Sequence, residues 1–346
     1  MKLLIVGDIH WSTYSSIIRS RGNYFSTRLE NLIKSLNWVE QISKEYKCEE
    51  EIFLGDTFDR PDLNAEEISA LSEIEWNKTS RLKHFIVGNH ESGISSLIYN
   101  STQVLHKIGV IEDTPYIYPL DEHTEILFLP YIIEDNRKPL IDYLEHRNKK
   151  KKLIICSHND LKGIRYGAIE SKEGFTLPEI EENCDLFING HLHNGGFVNE
   201  SKTILNLGIL TGQNFTENAF VHSHNICILD TETLKMEFIE NPFAFNFYKI
   251  EIHKEEDLKL LNNLKPNSVI SIKCIENYVD ILKQELTKHT NIIESRTIIQ
   301  RNETEITDGE TVTLSSNDYL KQFYDFTVQK LGRTEIVLHE LKEVCK

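Results

Sequence analysis

No run of apolar residues in this 346-residue chain approaches the roughly 20 that a membrane-spanning helix needs. The first apolar stretch, Leu3 to Val6, meets Asp8 almost at once and is too short for a signal-peptide core. The expectation is a protein with no membrane segment, in the cytoplasm (the host cytoplasm if the chain is viral). Cysteine is sparse and scattered, at Cys48, Cys156, Cys184, Cys227, Cys274 and Cys345, with no CxxC pair. That pattern reads as reduced thiols beside apolar neighbours rather than as a disulfide framework. Positive charge is short: 38 Lys+Arg stand against 54 Asp+Glu, for a net charge of −16. This excludes a protein that coats nucleic acid by bulk electrostatics, but not a local phosphate site, where bound cations can dominate the field. Internal repeats and low-complexity tracts are also lacking. What is present is 40% hydrophobic residues, enough for a buried core and too many for a wholly disordered chain. The length suits one large domain with appendages, or two domains.

Short apolar runs alternate with helical patterns through the first two thirds. Leu3–Val6, Glu51–Leu54, Phe85–Val87, Leu153–Cys156 and Leu186–Asn189 read as buried strands. Between the first two, Thr27 and Glu30 suggest a capping box, followed by Leu29, Leu32, Ile33, Leu36 and Val39 at helical spacing. Asn64 with Glu67 suggests a second box. Strand–helix alternation implies an α/β layered core. From Asn189 to Glu240 the pattern turns to β, with a hairpin expected around Thr231-Glu232-Thr233. A boundary is expected near Asn241-Pro242. Beyond it, strands at Phe247–Ile252, Ser268–Cys274 and Asn291–Gln300, with helical segments around Leu258 and Ile281, suggest a small α+β module. Arg301–Thr313 reads as a polar linker. Ser316 can then cap a helix carrying Leu320, Phe323, Tyr324, Thr327 and Leu331, and another helix follows from Thr334.

Each of the five early strands ends in chemistry-bearing residues. In chain order these are Gly7-Asp8-Ile9-His10, Gly55-Asp56-Thr57-Phe58-Asp59-Arg60, Gly88-Asn89-His90-Glu91, Ser157-His158 and Gly190-His191-Leu192-His193. The carboxyl edge of an open α/β sheet is where ligands bind. Carboxylate, imidazole and amide oxygen together suit borderline-to-hard divalent ions such as manganese, iron or zinc. No cysteine joins the set, which argues against a structural zinc site. A pair of ions roughly 3.5–4 Å apart needs a bridging carboxylate, and Asp56 is the natural one. His191 and His193, at i and i+2, share one face, and each could serve a different ion.

This constellation resembles the calcineurin-like metallophosphoesterase superfamily over about residues 1 to 240. The resemblance implies a layered β-sandwich core flanked by helices and two divalent ions, most often Mn2+, with Mg2+, Fe2+ or Zn2+ as alternatives. It implies that Asp8, His10, Asp56 and His193 hold one ion, and Asp56, Asn89, His158 and His191 the other. His90 matches the family's non-ligand histidine, which stabilises the transition state or protonates the leaving oxygen. The whole layout resembles the SbcD-type DNA nuclease subunits, bacteriophage members of that group above all. On that resemblance residues 1–245 are the nuclease domain, 246–300 a capping and DNA-binding module, 301–315 a linker and 316–346 a helical ATPase-binding tail. The implied activity is 3′→5′ exonuclease on duplex ends and endonuclease on single strands, in DNA recombination, repair and replication. The implied partners are DNA and an SbcC-like coiled-coil ABC-type ATPase, within a heterotetramer built on a homodimer. Two alternatives stand beside this: a phosphomonoesterase or small-substrate phosphodiesterase, favoured by the Asp59-Arg60 pair, and a scaffold that has lost catalysis.

Further residues have two readings each. Asp59 could orient a metal-binding histidine or form an ion pair with Arg60. Tyr14, Arg19 and Arg21, just after the first block, could contact a DNA backbone or belong to an ordinary loop, and Arg165 and Tyr166 after His158 share that status. The basic run Arg147–Lys152 precedes its strand and so is expected at the end opposite His158, as a solvated loop. His222-Ser223-His224 reads as a surface strand start.

Overall fold

β1, Lys2–Val6, is apolar at every position after Lys2 because both its faces are covered. Leu3 and Ile5 pack into a cluster with Ile126, Phe128, Ile154 and Ile188, while Leu4 and Val6 pack with Leu29, Leu32, Leu36 and Val39. These features come from a computed structural model that describes residues 1–300 except 16, 17, 19, 79, 95, 133–136, 148 and 167–168. The expected linker and helical tail, 301–346, lie outside the described residues, as does Arg19.

The remaining strands of the three larger sheets are β2 (Glu50–Phe53), β3 (Leu82–Ile86), β4 (Val110–Glu112), β5 (Tyr116–Pro119), β6 (Thr124–Leu129), β7 (Lys152–Ser157), β8 (Leu186–Asn189), β9 (Gly196–Phe197), β10 (Ile204–Asn206), β11 (Asn225–Asp230), β12 (Lys235–Glu240), β13 (Asn246–Ile252), β14 (Ser268–Ile275) and β15 (Ile292–Gln300). One six-stranded sheet runs β12-β11-β1-β2-β3-β4 and a second runs β9-β10-β8-β7-β6-β5. In the first, β1 to β4 are parallel; in the second, β6, β7, β8 and β10 are parallel. The two sheets share the cluster that holds Leu3, Ile52, Ile86, Phe128, Cys156 and Cys227, which is the middle of a sandwich. The fold is thus the expected layered α/β sandwich with helices on its outer faces. Burial pushes the Cys227 thiol up to about 12, in keeping with an inert core residue.

Helix α1, Thr27–Glu45, corrects one expectation: its cap is Ser26, whose side chain accepts from the Leu29 N–H. Glu30 does not close a box with Thr27, because its carboxylate accepts from the Tyr24 N–H at 2.9 Å. Helix α2, Ala65–Leu71, has the expected Asn64/Glu67 capping box. β2 begins at Glu50 and β3 at Leu82, earlier than the apolar runs suggest, since Glu50, Glu51 and Lys83 are charged yet buried. They are paired internally: Lys83 Nζ lies 3.0 Å from Glu40 and 2.9 Å from Glu51.

Beyond the hairpin β11–β12, residues 246–300 form the parallel sheet β13-β14-β15. One face of that sheet packs Ile250, Ile252, Ile270 and Ile272 against Leu258, Leu261 and Leu282. At its near edge Phe247 and Val269 join Phe215, Phe245 and Ile18 in a further apolar cluster. Residues 1–300 form one compact unit.

A buried ionic knot ties His84, in the middle of β3, to its neighbours β2 and β4. His84 Nδ1 is 2.8 Å from Glu112 and its Nε2 3.4 Å from Glu50. Tyr118 donates to Glu50 at 2.9 Å, and Phe128 stacks on the imidazole. Burial alone would lower the pKa of His84, but the two carboxylates outweigh it and hold it above its ordinary value. The stability it contributes is therefore full below pH ~6.5 and is lost as pH rises through the elevated folded-state value. Thermal melts should show wild type exceeding His84→Gln at acidic pH and the two converging at alkaline pH. Parallel curves would dismiss the knot as a titrating element.

Candidate metal centre

Five parallel strands, β1, β2 and β3 of one sheet and β7 and β8 of the other, deliver their following residues to one edge of the sandwich. The chain turns sharply there. His10, Asp56 and His191 have φ of 50°, 45° and 74°, a left-handed conformation that costs a non-glycine residue about 1–3 kcal/mol and clusters at functional sites. Glycines let the strand ends close. A Cβ on Gly88 would lie 2.1 Å from Asp56 Oδ1, and one on Gly55, itself at φ +98°, 2.4 Å from His158 Nδ1.

Two donor groups result. In the first, Asp8, His10 and His193 each offer an atom to a common point; in the second, Asp56, His158 and His191 do so. Asp56 Oδ2 lies 3.2 Å from His158 Nε2 and 3.7 Å from His10 Nε2, between the two groups. Asn89 Oδ1 lies 3.2 Å from His158 Nε2 and 3.1 Å from His191 Nδ1. All seven residues expected to be ligands are therefore brought together, and Asp8, His10, Asp56 and His158 are almost wholly buried.

The donor chemistry fits cations. Asp8 Oδ2 is buried with no hydrogen-bond partner. His10 Nδ1 faces Asp59 Oδ1 at 3.0 Å and His193 Nδ1 faces Glu217 Oε1 at 3.0 Å. A carboxylate only accepts, so both Nδ1 atoms carry hydrogen. Both Nε2 atoms then present lone pairs toward each other, at 3.0 Å. In the second group His158 Nδ1 donates to the Leu54 carbonyl at 2.7 Å, which leaves its Nε2 lone pair toward the oxygens of Asp56 and Asn89. Acceptors facing acceptors call for positive charge between them. The titration behaviour agrees. Burial opposes ionisation of both His158 and Asp56, yet their mutual attraction raises His158 to about 10 and holds Asp56 well below the carboxylate range. A divalent ion would supply the charge that a proton otherwise provides.

His90 is placed differently. Its side chain is 45% exposed, its Nδ1 donates to the Asp59 carbonyl at 3.1 Å, and its N–H donates to Asp56 Oδ1 at 3.0 Å. Its ring meets His10 edge-on, with centroids 4.8 Å apart. It lies near enough to join a group with His10 and Asp56, but its anchored Nδ1 leaves only Nε2 for a ligand.

Asp59 orients His10, as one of its two readings expects. Arg60 pairs with the buried Glu67 at 2.6 Å, and Glu67 also accepts from the Thr13 N–H at 2.7 Å. Arg60 thus braces the loop after His10. Arg21 is bound to Glu66 at 2.7 Å and to Tyr14, so these two expected DNA contacts form one surface group. Arg165 and Tyr166 are described only as a two-residue strand paired with Ile169–Glu170. Within the basic run, Arg147 pairs with Glu125 at 3.2 Å and Lys149 donates to the Glu182 carbonyl at 2.8 Å, at the end of β7 opposite His158. His224 departs from its surface reading. It is buried, with Nδ1 on the Ile209 carbonyl at 3.0 Å, while Val221 before it is exposed and His222 and Ser223 are half-buried.

Three site residues escape sequence reasoning. Glu217 holds His193, and Asp160 lies 3.2 Å from His191 Nε2. Glu91 accepts from the Gly88 and Phe58 N–H groups at 2.6 and 3.1 Å; burial and the Asp56 charge push it up to about 7. Glu91 closes the third block and Asp160 stands two residues after His158, so each could have been given a role, whereas Glu217 stands in no motif.

Sandwich, strand-end cluster and paired donor groups define a metal-dependent phosphoester hydrolase. The profile of the calcineurin-like phosphoesterases matches residues 1–195, and the chain belongs to that family. No curated protein matches the chain. Among solved structures it is similar to a dimetal phosphatase from Danio rerio, at 15% identity and TM-score 0.43, covering 70% of this chain and 99% of that one. It is also similar to the phosphopantetheinyl hydrolase of Mycobacterium tuberculosis, at 11% identity and TM-score 0.35, covering 60% and 89%. No helix among the described residues is long and apolar enough to cross a membrane.

Proposed function

We propose that this protein is a two-metal phosphodiesterase that cleaves DNA, with manganese as its working ion. The observation that carries the reading is the parallel module β13–β15, fastened beside the metal centre. Phe215, two residues from Glu217, packs edge-on against Phe247 with ring centroids 5.1 Å apart, and the Ala219 N–H donates to the Phe247 carbonyl at 3.0 Å. A small phosphate ester needs only the metal cluster, whereas a polyanion gains from surface beyond it. Lys249, Ser271 and Arg296 form one cross-strand row of that module. Arg296 stacks on Phe215 at 4.5 Å, and its Nε donates to Ser271 at 2.9 Å. Such ordered cations suit sugar-phosphate contacts, which position a duplex without reading its sequence, and they supply positive charge locally despite the net −16.

When bound, divalent ions supply Lewis-acid charge neutralisation and a water of lowered pKa. Oxygen and imidazole donors without thiolate suit manganese, iron or zinc, and manganese is the ion that the family resemblance favours. Asp8, His10, Asp56 and His193 would hold one ion, and Asp56, Asn89, His158 and His191 the other. His90, anchored through Nδ1, has Nε2 left for the leaving oxygen, to which it gives a proton when both ring nitrogens carry hydrogen.

A phosphomonoesterase is the second reading, favoured by the Asp59-Arg60 pair after the second block. One assay separates the two: purified protein with manganese, offered end-labelled duplex DNA and para-nitrophenyl phosphate. The nuclease reading expects shortened labelled strands and slow release of nitrophenol. Rapid nitrophenol release with intact DNA would replace it by the phosphatase reading.

A further inference from the structure

We infer that Gln213 and Glu217 are positioning residues that set the affinity of one ion of the pair, the ion held by His10 and His193, independently of the other. The inference rests on the metal assignment above and concerns a segment that no block of the sequence marks.

Glu217 is buried, 3% exposed. Its carboxylate receives the Gln213 N–H at 3.0 and 3.1 Å and the Asn214 N–H at 3.3 Å, besides His193 Nδ1 at 3.0 Å. The side-chain amide of Gln213 in turn donates to Asp59 Oδ1 at 2.7 Å, the same oxygen that faces His10 Nδ1. One five-residue segment thus aims both imidazoles whose Nε2 atoms meet. The buried Arg28 guanidinium fixes the segment's start, donating to the Gly212 carbonyl at 2.8 Å and to the Ile9 carbonyl at 3.2 Å.

The other two histidines use separate anchors. His158 leans on the Leu54 carbonyl and His191 faces Asp160. A carboxylate behind a metal-binding imidazole fixes its tautomer and raises its basicity, and losing such a partner typically costs about 10–100-fold in metal affinity. Glu217 also brings a negative charge to the first ion. Two ions bridged by Asp56 would therefore be tuned by separate supports.

The test is a two-site manganese titration of the full chain, by calorimetry with the free-ion signal followed by electron paramagnetic resonance. Wild type, Glu217→Gln, Gln213→Ala, Asp160→Asn and His193→Ala are compared. Glu217→Gln, which keeps the side-chain shape, should weaken one site by about 10–100-fold and leave the other within about twofold. The weakened site should be the one missing in His193→Ala. Gln213→Ala, at a half-buried position, should weaken that same site less, and Asp160→Asn should weaken the opposite one. Turnover of Glu217→Gln should recover at saturating manganese. Equal weakening of both sites, no weakening, or loss confined to the opposite site in both Glu217→Gln and Gln213→Ala would overturn the inference. Fewer than two ions on wild type would instead overturn the metal assignment itself and this inference with it.

Discussion

Asp56→Ala should hold neither ion tightly and should hydrolyse phosphate esters only at background rate. The expectation follows from position. Asp56 Oδ2 lies within 3.7 Å of one donor group and 3.2 Å of the other, so its removal disturbs two ions at once. Loss of one donor to developing charge typically costs about 10²–10³-fold, and here charge stabilisation fails on both sides of the phosphorus, so a larger loss is expected. The variant also removes the carboxylate that His158 and His10 face and the acceptor of the His90 backbone N–H. Asn89→Ala is the comparison, since Asn89 touches only His158 and His191 of the cluster; it should weaken one ion and spare the other. Metal content by elemental analysis and hydrolysis of labelled DNA read out the two variants. Undiminished hydrolysis by Asp56→Ala at saturating manganese would falsify the bridging role.

His90→Asn should keep both ions and lose turnover by about 10²–10⁴-fold, the usual worth of general acid–base help. The geometry separates it from the ligands. Its Nδ1 is occupied by the Asp59 carbonyl, its ring is partly exposed, and its link to the cluster runs through its backbone N–H. Asparagine keeps a polar side chain while removing the titratable nitrogen. The loss should fall on turnover rather than on substrate affinity, and it should shrink for substrates whose leaving group needs no proton. Loss of an ion from this variant, measured by elemental analysis, would make His90 a ligand.

The strands and their blocks are legible in the sequence for one physical reason. Strands covered on both faces show as continuous apolar runs, and each run stops where a carboxylate, amide or imidazole begins. The division of those strands between two sheets is not legible, because a doubly buried strand looks the same in either. The early starts of β2 and β3 are hidden for the opposite reason: Glu50 and Lys83 look solvent-facing and are in fact buried. Ser26 and Thr27 are both competent caps, and only the reach of Glu30 to Tyr24 decides between them. Within the site, ligands are readable because they cluster at strand ends. Their supports are not: Glu217 acts from a loop 24 residues beyond the histidine it holds, and a lone glutamate among polar neighbours carries no signal. Tyr14 and Arg21 were singled out for their types, yet Glu66 already engages Arg21.

The place of β1 in its sheet bears on how the polypeptide is made. The earliest strand of this sequence is a central one, flanked on one side by β2 and on the other by β11, with Lys2 opposite Asp230. Until residues 225–230 emerge, one edge of β1 has no hydrogen-bonding neighbour of its own. An unpaired edge is a template for association with other chains, and pairings so distant in sequence slow folding. Fragments of this protein that stop at residue 195, where the family profile stops, would carry that open edge permanently, together with a first donor group deprived of Glu217.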